Sequence, residues 1–230
     1  MFWTFLAAGQ PAGDRLTIGG ADGHHLARVL RVRPGERGIA VAAGREYDLE
    51  VLEVRAAEVV CRVTGDRPAG GEPALAITLL QATLPNPDFD AVLEAGTALG
   101  IHRFIPVRAE RAVARPAGSR MQRWQAIIKS AAEQSHRGAL PLVLEPLPLV
   151  DALEQVAGSP LLVLDPSAPA PLERTDASRV AIAIGPEGGW TPGELATMRE
   201  QGGAPVSLGP RILRARLAPI VAAAILVRQS

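Results

Sequence analysis

Two patterns of hydrophobic and polar residues divide the chain. Up to about residue 70, partly alternating runs such as "RGIAVAAG", "EYDLEVLEV" and "EVVCRVTG" are separated by glycine or charged turns. This pattern is typical of the short strands of a small barrel or sandwich. One helix is predicted among them by "GADGHHLARVLRVRPGE", with Asp22 as its cap and Leu26, Val29 and Leu30 on one face.

The pattern changes after the Pro/Gly-rich stretch "RPAGGEPA", residues 67–74. Continuous apolar runs such as "ALAITLLQA", "PLLVLDP" and "RVAIAIGPEGG" then alternate with helical segments such as "PDFDAVLEAGTALG" and "SRMQRWQAIIKSAAEQS". A later helix, "TPGELATMREQGG", is predicted to be capped by Thr191, and "APIVAAAILVRQ" is predicted to be the last helix. Apolar strands alternating with helices predict an α/β domain with a parallel sheet covered by helices.

Composition excludes several classes of protein. The chain has 24 basic and 24 acidic residues, a balance that excludes a disordered polyelectrolyte. Its one cysteine, Cys61, excludes an internal disulfide and a cysteine-based metal site, and we expect it to be a small core residue. No stretch approaches the roughly 20 apolar residues of a membrane span, and the start lacks the charged region of a signal peptide. We therefore expect a cytoplasmic protein with no membrane partner and no metal site.

Basic residues are nevertheless concentrated in two regions. Between His102 and Arg137 eight Lys and Arg residues stand against two acids, and from Pro205 to Ser230 there are four arginines and no acid. This asymmetry predicts a basic face that could contact phosphates. Only one of the basic residues, Lys129, is a lysine. The preference for arginine fits phosphate binding, but genome composition could equally produce it.

One predicted strand ends in an unusual turn. In "AIAIGPEGGW" an apolar run is followed by Gly185, Gly188 and Gly189, and then by a helix start that presents free N–H groups. Ligands of open α/β sheets bind at the carboxyl ends of the strands. Taken alone, the segment fits an ordinary tight turn as well as a ligand loop.

A second predicted strand ends in "VSLGPRILRARLAP". Arg211, Arg214 and Arg216 precede the last apolar helix, where cations oppose the helix dipole unless an anion is bound. The pattern favours an anion or nucleic-acid contact over a solvated basic helix start.

Together, "IGPEGGW" and the later "LGPRILR" resemble the C-terminal motifs of the SPOUT methyltransferases, and most closely those of the RsmE family. The segments "HHLARVLRVRPGE", "ATLPNPDFDAVLEAGTALGIHRFIPVRAERAV" and "RWQAIIKSAAEQSHR" extend the resemblance over most of the chain. It implies a small PUA-like β-barrel that binds RNA, residues 1–70, followed by a SPOUT α/β domain with a C-terminal trefoil knot, residues 74–230. The implied activity is S-adenosylmethionine-dependent methylation of N3 of a uridine in small-subunit (16S) ribosomal RNA. The implied partners are that RNA or the assembled 30S subunit, and a second copy of the chain in a homodimer.

The resemblance also implies site residues. S-adenosylmethionine is expected to be held by Leu164, Ile184, Gly185, Pro186, Glu187, Gly188, Gly189, Leu208, Gly209, Ile212 and Leu213. RNA contacts are expected from His24, His25, Arg28, Arg31, Arg33, Arg111 and Arg211, although the two histidines could equally make local hydrogen bonds. Arg214 is the candidate that stabilises charge on the uracil or binds a phosphate. Glu187 is either a catalytic base or a cap of its turn, and the structural role is favoured. Trp190 is interpreted as covering the core rather than stacking on a base.

The chain departs from the family pattern at charged positions. The family commonly continues "LGPRILR" with Thr-Glu-Thr-Ala, whereas here Arg216 replaces the acid. Asn86 stands where the family has a lysine, and Ala95 and Ala98 replace two charged residues of the helix that follows. The alternative function is therefore that of a homologue that binds RNA without methyl transfer. An ordinary doubly wound nucleotide-binding enzyme is disfavoured because its glycine fingerprint is absent.

Overall fold

The computed structural model describes residues 1–6, 11, 13–112 and 120–227. The chain forms two compact units. The first comprises Met1–Glu72 and Glu133–Ala139, and the second comprises Pro73–Ala132 and Leu140–Ser230.

The first unit is built on a five-stranded sheet. Its strands are β1 (Phe2–Phe5), β2 (Arg15–Ile18), β3 (Arg37–Ala42), β4 (Arg45–Val54) and β5 (Val59–Pro68). They lie in the order β1-β3-β4-β5-β2, with β1 parallel to β3 and the other neighbours antiparallel. The three strands predicted from residues 37 to 65 are confirmed, and the closed barrel stays a prediction.

A short α1 (Gly20–His24) continues into a π-helix (His25–Leu30). Because a π-helix bonds residues five apart, side chains that share a face of an α-helix separate. Leu26 is therefore buried, whereas Val29 and Leu30 are 61% and 49% exposed, and the prediction of one apolar face was wrong.

The start of this helix also differs from the prediction. Gly19 is the N-cap residue and makes no side-chain cap, and Asp22 lies inside the first turn, so the predicted Asp22 cap was wrong. The backbone at Gly23 packs closely against two neighbouring carbonyls, because a Cβ on Gly23 would lie 2.4 Å from the carbonyl oxygens of Ile18 and Ala57. The π-helix ends at Arg31, which adopts the left-handed conformation with φ 54°.

The segment 133–139 completes the first unit through buried polar contacts. The guanidinium of Arg137 is buried and pairs with Glu72, whose Oε1 also accepts from the Gly138 N–H at 3.1 Å. Trp3 stacks on His136 with ring centroids 4.8 Å apart and donates to the Arg137 carbonyl at 3.1 Å. Arg137 therefore stabilises the fold. The prediction that the basic stretch could contact phosphates was wrong for this residue.

The second unit contains a seven-stranded sheet with helices on both sides. Its strands are β6 (Ala76–Ala82), β7 (Arg103–Arg108), β8 (Leu142–Val143), β9 (Leu147–Pro148), β10 (Leu161–Leu164), β11 (Arg179–Ile184) and β12 (Ala204–Val206). Its helices are α2 (Asn86–Ala98), α3 (Arg120–Gln134), α4 (Leu149–Glu154), α5 (Pro192–Glu200) and α6 (Ala218–Leu226). The strand order is β12-β10-β11-β6-β7-β8, with β9 also beside β7, and every pairing is parallel.

The predicted parallel α/β sheet is thus confirmed, and its strands alternate between two cores. Ile77 and Leu79 of β6 pack with α2, α3 and α6, while Leu80 and Ala82 pack with α4 and α5 on the opposite face. The sequence pattern missed β8, β9 and α4, and the end of the predicted last helix lies outside the described residues. None of the described helices is long and apolar enough to cross a membrane.

Cys61 offers a direct test of the first unit's core. The side chain is fully buried, and burial raises the pKa of its thiol from the ordinary 9.0 to about 11. This shift lowers the thiolate fraction at pH 8 by about a hundredfold. We expect the folded protein to resist labelling by DTNB at pH 8 and the guanidinium-unfolded chain to react fully. Rapid labelling of the folded protein would show that this core is open.

Candidate functional site

A cavity of about 400 Å³ lies at the carboxyl edge of the second unit's sheet. β12, β10, β11 and β6 are neighbours and parallel, so the segments that follow them emerge at the same edge. The cavity is lined by Leu164, Asp165, Pro166, Ile184, Gly185, Pro186, Glu187, Gly189, Trp190, Leu195, Val206, Leu208, Gly209, Arg211, Ile212, Leu213, Arg214, Ala215 and Ala218. Ten of the eleven residues assigned to the cofactor by resemblance are among them, and Gly188 is the exception.

The turn after β11 depends on glycine at one position and leaves little space for a side chain at another. Gly189 has φ +68°, a conformation that side chains rarely adopt, and its N–H donates to the Pro186 carbonyl at 2.8 Å. A Cβ on Gly185 would lie 3.2 Å from the Trp190 backbone nitrogen. Both glycines therefore allow the backbone itself to form the cavity wall.

The acid that caps the following helix is Glu194. The Glu194 N–H donates to Thr191 Oγ1 at 3.3 Å, and the Thr191 N–H donates to Glu194 Oε2 at 2.8 Å, so the predicted Thr191 cap is confirmed as a capping box. Glu194 Oε1 also accepts from the Glu110 N–H at 2.9 Å. Glu187 takes no part in this cap; its side chain is exposed and borders the cavity.

Gly188 and Arg111 contact each other outside the cavity. Arg111 Nη1 donates to the Gly188 carbonyl at 2.9 Å, and a Cβ on Gly188 would touch the Arg111 side chain at 3.4 Å. Arg111 was predicted to bind RNA; in this structure its side chain is exposed and donates one hydrogen bond to the glycine turn, and the RNA contact stays a prediction.

The segment after β12 forms the second wall of the cavity. Ser207 is fixed by two bonds, since its N–H donates to the Ala170 carbonyl at 2.9 Å and its carbonyl accepts from the Leu172 N–H at 2.8 Å. Beyond it, no acceptor within the described residues is found for the backbone N–H groups of Leu208, Gly209, Ile212 and Leu213. These groups are available to a ligand.

Side chains of the same segment point in different directions. Leu213 packs against the apolar core, whereas Ile212 is 85% exposed although it borders the cavity. The side chains of Arg211 and Arg214 are also exposed at the cavity. The mouth therefore combines an apolar side chain with two cations.

Asp165 is a lining residue that the sequence analysis missed. Its Oδ1 accepts from the Ser167 N–H at 2.8 Å and from Ser167 Oγ at 2.7 Å, while no donor to Oδ2 is found in the described part of the chain. The signal was its position directly after the apolar strand "PLLVLDP", which is a third strand end beside the two singled out. Trp190, interpreted as a core residue, is buried and also borders the cavity.

The other predicted RNA-binding residues lie in the first unit. The residues His24, His25, Arg28, Arg31 and Arg33 are all exposed. Arg28 Nε also donates to the Ala56 carbonyl at 3.3 Å, a local bond that leaves most of its guanidinium accessible.

The basic stretch of the second unit is partly engaged within the protein. Arg123 pairs with Asp90, and Arg103 donates to the Gln155 side chain at 2.7 Å. Arg115, which was counted in that stretch, lies outside the described residues. The number of cations in a segment therefore overstates the charge that it offers to phosphate.

Comparison with known proteins identifies the family. The protein-family model for the RNA methyltransferase domain matches residues 71–227. The ribosomal RNA small subunit methyltransferase E of Synechocystis sp. is 35% identical over 91% of this chain and 71% of its own length. This chain belongs to the ribosomal RNA small subunit methyltransferase E family.

Solved structures agree with this assignment. A methyltransferase E from Neisseria gonorrhoeae, bound to S-adenosylmethionine, is 30% identical with a TM-score of 0.88, covering 97% of this chain and 95% of its own. A Legionella pneumophila protein solved with the same cofactor is 26% identical with a TM-score of 0.88, covering 97% of this chain and 96% of its own. The chain therefore has the α/β fold of methyltransferase E and is an RNA methyltransferase.

Proposed function

We propose that this chain transfers a methyl group from S-adenosylmethionine to N3 of a uridine in small-subunit (16S) ribosomal RNA. The observation that carries the proposal is the cavity at the carboxyl edge of the sheet. Residues 164, 184–189 and 208–213 are far apart in the chain, yet almost all of those assigned to the cofactor by resemblance border this one space. Its volume of about 400 Å³ lies within the range of about 300 to 1,000 Å³ that is usual for small-molecule sites.

The chemistry of the lining fits this cofactor. Leu164, Ile184 and Leu208 offer apolar surface for an adenine ring. The unsatisfied N–H groups of the segment after β12 suit acceptor atoms of the base or of the methionine part. Asp165 Oδ2 suits a ribose hydroxyl, which would donate to it.

The residues at the mouth suit the chemistry of the transfer. When bound, S-adenosylmethionine supplies an activated methyl group on a sulfonium centre. Uracil N3 carries a proton with a pKa well above neutrality, so the proton must be removed or the anion stabilised. Glu187 is the proposed proton acceptor, because its exposed carboxylate borders the cavity and the capping role belongs to Glu194. Arg214 is proposed to stabilise the negative charge on the uracil oxygens.

The fold-level proposals follow the family resemblance. We propose that the last strand and the last helix, β12 and α6, pass through a loop to form a trefoil knot, and that the first unit closes as a PUA-like barrel. The exposed cluster of His24, His25, Arg28, Arg31 and Arg33 is proposed to hold RNA. Arg111, at the glycine turn, and Arg211, at the mouth of the cavity, are proposed to make further RNA contacts.

The assembly and location are proposed on similar grounds. Leu217, the residue before α6, and Val221 within it remain 46% and 36% exposed, and these apolar side chains support homodimer formation through that helix. The substrate is either free 16S RNA or the assembled 30S subunit, and both imply a cytoplasmic location.

Methyl transfer itself provides the decisive test. Methyl-labelled S-adenosylmethionine is incubated with the protein and either unmethylated 30S subunits or free 16S RNA, and the modified nucleosides are then mapped. We expect label in N3-methyluridine. Transfer to a cytidine or a ribose would overturn the substrate but keep the chemistry. Binding of RNA without transfer would instead establish the non-catalytic homologue.

Gly189→Val tests the glycine turn. Valine strongly disfavours φ +68°, so the turn must either shift or carry strain of about 1–3 kcal/mol. We expect the Kd for S-adenosylmethionine, measured by calorimetry, to rise about tenfold or more. Gly188→Ala is the control, because Gly188 lies outside the cavity and its Cβ would touch Arg111 at ordinary contact distance. Equal losses in both variants would contradict a role specific to Gly189.

Arg31→Ala tests the proposed RNA surface of the first unit. Removal of one phosphate contact should weaken RNA binding and reduce the slope of log K against log salt by about 1. Arg62→Ala is the control, since Arg62 is exposed in the same unit but already pairs with Glu50 at 3.2 Å. A salt slope unchanged in Arg31→Ala would remove Arg31 from the phosphate contacts.

A further inference from the structure

Arg216, the residue that replaces the family's acid, forms an ion pair. Its Nη1 lies 2.9 Å from Asp88 Oδ1, and the two side chains are 43% and 29% exposed. The reversed charge at position 216 therefore faces an opposite charge.

The pair connects two parts of the second unit that border the same edge of the sheet. Arg216 lies between Ala215 and Ala218, which are both buried and both line the cavity. Asp88 lies in the first turn of α2, which begins four residues after β6 ends. The pair thus links the second wall of the cavity to the helix that follows the neighbouring strand.

Within the described residues, few backbone hydrogen bonds fix this wall. Residues 209–214 belong to no helix or strand. At its end, the Arg214 carbonyl accepts from the N–H groups of Leu217 and Ala218 at 2.8 and 3.1 Å. Between these bonds and Ser207, the wall depends on side-chain contacts, and Arg216–Asp88 is an ion pair at its end.

We infer that Arg216 and Asp88 form a positioning pair that holds the second wall of the cavity against α2. The inference rests on the proposed function, because the wall is argued to hold S-adenosylmethionine.

The polarity found here is physically favourable. A carboxylate in the first turn of a helix interacts well with the helix dipole, whereas a lysine there does not. Partly exposed ion pairs contribute little to overall stability. We therefore expect loss of the Arg216–Asp88 pair to shift the position of the wall and to change the free energy of unfolding only weakly.

A charge-exchange cycle tests the pair. The variants are Arg216→Glu, Asp88→Lys and the double variant, and the conservative Arg216→Lys accompanies them. The measurements are the Kd for S-adenosylmethionine by calorimetry, kcat and KM for methyl transfer, and hydrogen exchange of residues 209–217 in the ligand-free protein. Arg45→Glu is the control, because Arg45 forms a comparably exposed pair with Asp66 in the first unit.

We expect each single reversal to raise the Kd about fivefold and to speed hydrogen exchange of the wall, because a partly exposed pair is worth at most about 1 kcal/mol. The double variant should recover most of the affinity for S-adenosylmethionine, and Arg216→Lys should retain most of it. Arg45→Glu should not alter this affinity. KM for the cofactor should follow the Kd, while kcat changes less.

Two outcomes would overturn the inference. Single reversals that bind and exchange like the unchanged protein would show that the pair holds nothing in place. A double variant no better than the single reversals would show that the two residues act separately. If the unchanged protein fails to bind S-adenosylmethionine, the proposed function fails instead, and hydrogen exchange of the wall still decides whether the pair positions it.

Discussion

The parallel pairing of β12, β10, β11 and β6 is the constraint on which the site depends. Neighbouring parallel strands end at one edge, so segments separated by more than forty residues of chain, such as those after Leu164 and Val206, are brought together. Both faces of the sheet are covered, and a slip of one residue would move each side chain of a strand into the opposite core. The register that satisfies the two cores therefore also fixes where the backbone of each cavity wall begins.

Much of this arrangement could be predicted from local patterns. Continuous apolar strands, the glycines after Ile184 and the Thr191 cap each act through contacts within a few residues, and the structure contains the corresponding strands, turn and capping box. Asp165 was missed because its proximity to the other walls depends on the order of strands in the sheet. α4 was missed because it is short and lies in a proline-rich apolar stretch, where helix and strand patterns do not differ clearly.

Charge was the least predictable property from the sequence. Arg137 is buried on Glu72, Arg111 binds a carbonyl of the glycine turn, and Arg216 pairs with Asp88. Each of these guanidiniums serves the fold or the site through a partner that is distant in the chain. A planar fork of donors suits carbonyls and carboxylates as well as phosphates. The sign and number of charges along a segment therefore say less about RNA binding than which guanidiniums remain free of partners within the protein.

Because of the π-helix, the side chains that face solvent between residues 23 and 32 depend on the length of this segment as well as on its composition. The wide turn of His25–Leu30 lies between Gly23, which is packed against neighbouring carbonyls, and the buried Val32. Loss of a single residue there would restore α-helical spacing and turn a different set of side chains toward solvent. An insertion or deletion in this stretch would therefore change which arginines face solvent even if every arginine were retained.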